Sequence, residues 1–264
     1  MQEKEVNEIA DFYDRLKQMD SAKRTLESEL EGRRYEIINH GILYYIMREI
    51  KRFLGNNINS VLNAGGDLGI DLILLRENGI NIENAYSLDV FLPQYQNDFP
   101  KYVKGSIYNL TEIFKEQKFD LVILKEVLEH LFDPDRAIEE LKSVTKSGGY
   151  IIITTPNLSS IINRILLLFG YLPMSYEVST RRVFGKPRRY NYREGAAGHI
   201  RIFTFKAIRE FLEFYGFEIN NIYTFGASPS DVVSEKSAII KMDRFFSKIN
   251  KKWGSSMIIV AKKI

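Results

Sequence analysis

The stretch Val61-Leu62-Asn63-Ala64-Gly65-Gly66-Asp67-Leu68-Gly69 decides the fold. It opens as a short apolar run, the mark of a buried strand, and breaks into glycines where a helix should begin. Gly65 and Gly66 permit a tight turn with backbone close to a ligand, and Gly69 lets the helix pack near the strand. An ordinary strand-to-helix connection would read the same way, so the flanking sequence has to discriminate.

Working outward, short apolar runs at Ser60–Ala64, Ala85–Asp89, Tyr102–Lys104, Phe119–Leu124 and Gly149–Thr155 alternate with helical stretches. That alternation predicts an α/β fold on a parallel sheet. After the fourth run, Asp133 caps a helix and Pro134 suits its first turn. Ala137, Ile138, Leu141 and Val144 form its buried stripe, and Gly148 is its expected stop. Residues 157–200 lose the alternation and read as an insertion over the sheet's C-terminal edge. The pattern resumes with a helix at Thr204–Tyr215, a strand at Phe217–Thr224, a polar connection and a closing strand at Ser256–Lys262. Upstream, Ile9, Phe12, Tyr13 and Leu16 recur at helical spacing, as do Leu43, Ile46, Met47 and Ile50, with a charged, solvated stretch from Glu27 to Arg34 between them. The expected division is an N-terminal helical segment, 1–54, and a ligand-binding domain, 55–264, carrying a lid insertion at about 157–203.

With 264 residues, 45% of them hydrophobic, the chain can bury one sizeable core. Thirty-seven basic residues stand against 34 acidic ones, a formal net charge of +3, so nucleic acid is not an expected partner. Cysteine is absent, which excludes disulfides, thiolate nucleophiles and Cys-ligated zinc. The first residues are charged and lack the apolar stretch of a secretory signal. The longest apolar stretch, Ile161–Phe169, is interrupted by Asn163 and Arg164 and falls short of the roughly 20 residues that span a bilayer. A cytoplasmic protein is expected. That stretch reads as a lid helix, with transient contact with a membrane surface as the alternative. Oligomeric state has no signal here.

The second strand ends in Ser87-Leu88-Asp89-Val90, and a carboxylate there can accept both hydroxyls of an adenosine ribose. NAD would use such an acid too. Its fingerprint, however, needs glycines where Asp67 and Ile70 stand, and Asp67 at a helix N-terminus would repel a pyrophosphate. S-adenosylmethionine (SAM) has no phosphate and carries an ammonium and a sulfonium, which an acid tolerates.

Val61 to Gly69 resembles the first motif of class I SAM-dependent methyltransferases. Lys118-Phe119-Asp120-Leu121-Val122-Ile123-Leu124-Lys125-Glu126-Val127-Leu128-Glu129-His130-Leu131 is similar to their fourth strand and following turn. Lys146-Ser147-Gly148-Gly149-Tyr150 through Pro156-Asn157 is similar to the fifth strand. Together with His199-Ile200-Arg201-Ile202-Phe203-Thr204 to Phe217, these resemble the ubiquinone-biosynthesis-like branch of small-molecule methyltransferases, over about residues 58–224. The resemblance implies a Rossmann-like sheet, mostly parallel with an antiparallel last strand. It also implies a SAM site releasing S-adenosylhomocysteine (SAH), in which Gly65 to Gly69 pass under the methionine part and Asp89 and Val90 take the ribose. Ser106 and Ile107 flank the adenine, and Lys125 and Glu126 line the cofactor. Asn63 departs from the usual acid and Asp67 from the middle glycine; Asp67 restores the charge four residues on.

Methyl transfer from a sulfonium is an in-line displacement with the leaving group already activated, so the protein mainly aligns the reactants and excludes water. A hydroxyl acceptor would also gain from a base. His130, after the fourth strand, and His199, after the insertion, are the candidates, each weighed against a structural role bonding backbone; His40 has no distinguishing context. Glu126 and Glu129 read as a solvated face, and no metal is expected. The insertion is basic, with Arg181, Arg182, Lys186, Arg188, Arg189, Arg193 and Arg201 set among Tyr176, Tyr190 and Tyr192. That favours an anionic small-molecule acceptor held by Tyr176, Arg181, Arg182 and Arg201 over a merely solvated loop. Methylation at oxygen of a small anionic, sugar- or lipid-derived acceptor is the expected activity. The alternatives are an RNA methyltransferase, and a non-catalytic binding module of the same fold, for which Asn63 and Asp67 are the motive.

Overall fold

Val61 lies within β1 (Asn57–Ala64), and the other strands assemble around it. Parallel neighbours β2 (Asn81–Asp89) and β4 (Phe119–Lys125) flank β1. β3 (Lys101–Lys104) lies outside β2, and β5 (Thr145–Pro156) outside β4. β7 (Ser256–Lys263) runs antiparallel to both β5 and β6 (Phe217–Phe225), giving a seven-stranded sheet in the order β3-β2-β1-β4-β5-β7-β6. The structure, a computed structural model, describes residues 30–32, 34, 41–66, 68–93, 96, 98–187, 197–226 and 238–264.

The central strands are buried on both faces, which is why they read as continuous apolar runs rather than as alternation. On one face Leu62, Ala64, Val122, Leu124, Ile151 and Ile153 pack with α4 (Pro134–Val144) and with Ile208 and Leu212 of α6 (Phe205–Phe214). On the other, Val61, Leu121, Ile123 and Ile152 pack with α1 (Ile42–Phe53) and α2 (Ile70–Glu77). Each fully buried Leu or Ile contributes roughly 1.5–3 kcal/mol. Short α3 (Leu110–Phe114) follows β3, α5 (Ile161–Leu168) follows β5, and α7 (Ala238–Ile249) precedes β7.

α4 forms as its sequence predicts. Asp133 accepts a hydrogen bond from the Arg136 amide at 3.0 Å, a cap worth about 1 kcal/mol, and Ala137, Ile138, Leu141 and Val144 are buried. Its stop is corrected. The helix ends at Val144, and Thr145, donating its hydroxyl to the Leu141 carbonyl at 2.6 Å, already pairs with Phe119. Gly148, at φ +75°, instead lies within β5, in the irregular stretch where the register against β4 shifts.

The polar connection before β7 is also corrected, because it contains α7. Its pattern is inverted: Asp243 is buried and hydrogen-bonded to Ser255, while Met242, Phe245 and Ile249 are exposed. In α1, Leu43, Ile46 and Ile50 are buried as expected, with Met47 only partly so. Glu49 is buried too, accepting from the Tyr223 hydroxyl at 2.9 Å and the Asn221 amide at 2.8 Å, which ties α1 to β6. The proposed stripe Ile9 to Leu16 and His40 lie outside the described residues.

The insertion is rooted in two buried amides. Asn157 donates to the carbonyls of Lys252 and Gly254. Asn163 donates to the Asn157 carbonyl and accepts from the Met174 amide. Ile162 and Leu166 of α5 face inward, while Leu167, Leu168 and Phe169 are exposed.

Candidate functional site

The glycine turn and the acidic strand end meet. The amides of Gly65 and Gly66 both donate to the Leu88 carbonyl, at 2.8 and 3.1 Å, so the turn after β1 is bonded to the residue preceding Asp89. Gly65 stands at φ +77°, and a Cβ there would lie 2.5 Å from Val127 Cγ2 in the turn after β4. Asp89 accepts from the Phe91 amide at 3.2 Å, and its carbonyl accepts from Gly105 at 2.9 Å, beside Val90, which is half-buried. Gly69 opens α2 at φ +70°, where a Cβ would lie 2.8 Å from Pro100. Asp67 lies outside the described residues.

A cradle surrounds Gly66. A Cβ there would meet Ser87 Oγ at 2.3 Å and Asn63 Nδ2 at 2.9 Å. Both atoms are buried and, among the described residues, have no hydrogen-bond partner. Buried polar atoms rarely go unpaired in the functional state, so the cradle suits a ligand that supplies an acceptor, such as the carboxylate of an amino acid. Ser106 caps a short 3₁₀ turn by accepting from the Tyr108 amide, and Ile107 is buried in the same core cluster as Leu88.

At the end of β4, Lys125 turns its ammonium to Asp71 Oδ1 at 2.6 Å, both side chains being nearly buried. Glu126 follows at φ +52°, a left-handed conformation that costs a non-glycine residue about 1–3 kcal/mol. Its amide donates to Thr154 of β5, at 3.1 Å to the carbonyl and 3.2 Å to Oγ1. Strain of this kind gathers at functional turns.

The solvated face expected of Glu126 and Glu129 is corrected: Glu129 is fully buried on a 3₁₀ turn, and Glu126 is half-buried. The Thr155 hydroxyl donates to Glu129 Oε2 at 3.2 Å, while Oε1 has no partner among the described residues. Burial, with the Glu126 charge, pushes the Glu129 carboxyl well above the usual carboxylate range. The end of the insertion docks on this residue, the amides of Ile200 and Arg201 donating to its carbonyl at 2.8 and 3.0 Å.

The structure brings His130 and His199 together, with ring centroids 4.8 Å apart. Since a carbonyl only accepts, Nδ1–H of His130 donates to Gly198 and that of His199 to Ser175, which leaves each lone pair on Nε2. Burial and the neighbouring His199 pull the His130 imidazole down to about 4, so it is neutral at physiological pH. Glu129, His130 and His199 each bring one ligand atom within 4.8 Å of the others, a group able to hold a metal. Glu177 accepts from the amides of Ala197 and Gly198 at 2.9 and 2.8 Å and clasps the insertion shut.

Among the acceptor candidates, Tyr176, Arg181 and Arg182 are exposed on the insertion, and Arg201 donates to the Phe132 carbonyl at 3.2 Å. Arg188, Arg189, Arg193, Tyr190 and Tyr192 lie outside the described residues. Sequence reasoning missed Ser87, Asp71, Glu129 and Glu177. Only Glu129, three residues after Glu126 and beside a histidine, carried a usable signal.

Solved structures share the fold. A SAM-dependent methyltransferase from Archaeoglobus fulgidus superposes with a TM-score of 0.50 at 21% identity, over 87% of this chain and 98% of that one. The [4+2]-cyclase SpnF does so with a TM-score of 0.52 at 13% identity, over 83% of this chain and 80% of that one. At such identities the likeness establishes the fold, that of SAM-dependent methyltransferases, and the cyclase illustrates that one fold hosts several chemistries. The mitochondrial ubiquinone biosynthesis O-methyltransferase of Dictyostelium discoideum is 39% identical over 62 residues, 24% of this chain and 19% of that protein. The match thus spans about a fifth of the curated relatives' length. Residues 38–221 match the model of a family described as a methyltransferase domain, and the chain belongs to that family.

Proposed function

We propose that the chain is a SAM-dependent methyltransferase acting on a small acceptor. The observation that carries the reading is the shared Leu88 carbonyl, which binds the Gly65 turn to the strand end bearing Asp89. Asp89 holds the ribose, with Val90, Ser106 and Ile107 around the nucleoside. Asn63, Gly65, Gly66, Asp67 and Gly69 hold the methionine part, and Lys125 and Glu126 border it. When bound, SAM supplies an electrophilic methyl on a good leaving group. The residues around it bind, orient and exclude water, and no metal is called upon because the sulfonium is already activated.

On the acceptor side, His199 Nε2 is the candidate base for a hydroxyl, with neutral His130 packed against it; oxygen is the favoured acceptor atom. The name of the Dictyostelium relative supports this choice. Exposed Arg181 and Arg182, with Tyr176 and Arg201, favour an anionic acceptor, sugar- or lipid-derived. Calorimetry with SAM tests the reading: micromolar binding by the native chain, abolished in Asp89→Ala, is expected. A native chain that binds no SAM would leave the non-catalytic module in its place.

One observation favours a second partner, a membrane surface. The end of α5 leaves Leu168 80% and Phe169 72% exposed, and no helix of the described residues is long and apolar enough to cross a bilayer. Co-sedimentation with anionic vesicles should fall in Leu168→Ser/Phe169→Ser; identical sedimentation would eliminate that contact.

A further inference from the structure

The cofactor reading leaves the reason for a buried ion pair unexplained. Lys125 Nζ meets Asp71 Oδ1 at 2.6 Å, with the two side chains only 11% and 9% exposed. β1 and β4 are in register through Asn63 and Ile123, so Lys125, two residues further on, stands level with Gly65. It continues the face of Leu121 and Ile123, where α2 packs. Asp71 lies in the first turn of α2, which starts from the same glycine turn. Both charges therefore flank the segment assigned to the methionine part.

Stability alone is a poor reason for the pair. Desolvating two charges offsets most of their attraction, and apolar residues of similar volume commonly do as well. Location supplies a better one. SAM and SAH differ by one methyl and one formal charge, the sulfonium of SAM against the neutral thioether of SAH. A lone buried ammonium at this edge would oppose the substrate cofactor and ignore the product. A lone carboxylate would do the reverse.

Resting on the reading that the Gly65 turn holds SAM, we infer that Asp71 and Lys125 are a charge-balancing pair that sets how the site discriminates SAM from SAH. Lys125 determines the specificity. Asp71 is a positioning residue, which neutralises the ammonium and draws it toward α2.

The test is the ratio Kd(SAM)/Kd(SAH), measured by calorimetry on the full chain. Both ligands are titrated into one preparation, so a fraction of unfolded protein cancels from the ratio. Asp71→Asn should raise the ratio about tenfold, the order expected of one unscreened charge in a polar site. Lys125→Met should lower it by a similar factor, and that arm serves if Asp71→Asn fails to fold. Asp71→Leu/Lys125→Met, with both charges gone, should return it to within about twofold of native. Ratios unchanged in both single variants would overturn the inference and reduce the pair to a structural clamp, with SAM binding by the native chain intact. Native protein that binds neither ligand would instead overturn the cofactor reading and this inference with it.

Discussion

Gly65 donates its amide to the Leu88 carbonyl at 2.8 Å, and through that bond the turn after β1 and the end of β2 become one wall. The position favours glycine on two counts: its φ is +77°, and a Cβ there would meet Val127. Gly65→Ala should therefore cost about 1–3 kcal/mol from backbone strain, plus the displacement of Val127. Urea unfolding would measure it, and SAM affinity should fall together with stability. An alanine variant as stable as the native chain would contradict the geometry.

His130 predicts a stability profile. Its folded pKa is about 4 against an ordinary 6.5, so between those values the unfolded chain binds the extra proton. The histidine's contribution is complete above pH 6.5 and is lost as pH falls toward 4, by up to about 3 kcal/mol. Comparing Tm of the native chain and His130→Asn at pH 7 and 4.5 isolates it: the native chain should lose more.

Glu129 acts in the opposite direction. Its carboxyl is raised, so the folded chain holds the proton more tightly, and stability falls as pH rises from the ordinary carboxylate range through the raised value. Glu129→Gln, neutral and of the same shape, should remove that slope and raise Tm at pH 8. A Tm equal to native at that pH would show the native carboxylate to be compensated.

Glu177 holds the end of the insertion through the amides of Ala197 and Gly198. Removing the carboxylate in Glu177→Ala deletes these bonds and the longer one from the His199 amide at 3.4 Å. Hydrogen exchange at residues 197–199 should accelerate about tenfold or more while the strands of the sheet keep their native rates.

Arg181 and Arg182 separate the two ligands. Substituting both by alanine should raise the acceptor KM about tenfold and leave the SAM Kd within about twofold of native. Parallel loss of both affinities would refute the division between cofactor wall and lid.

Much of this was legible beforehand because local rules agree with one another. The strand cores, the Asp133 cap, the buried stripe of α4 and the glycine turn each follow from spacing and residue type. α7 was not legible, because its inward face carries Asp243 and its outward face carries Phe245, the reverse of the usual pattern. Glu129 misread for a related reason. A carboxylate is assigned to solvent by default, whereas this one is buried, its side chain bonded to Thr155 of β5 and its carbonyl to the amides of Ile200 and Arg201.

The amino-acid order by itself determined the α/β sheet, the glycine turn at Gly65 and the acid at Asp89, since periodicity and backbone freedom are local properties. Tertiary structure alone decided that Lys125 pairs with Asp71, that His130 lies against His199, and that Glu129 is held out of water. Those partners are 54 and 69 residues apart in sequence, and only the crossovers of the sheet bring them together. Charge and proton affinity depend on neighbours and solvent, and neither exists until the chain has closed around them.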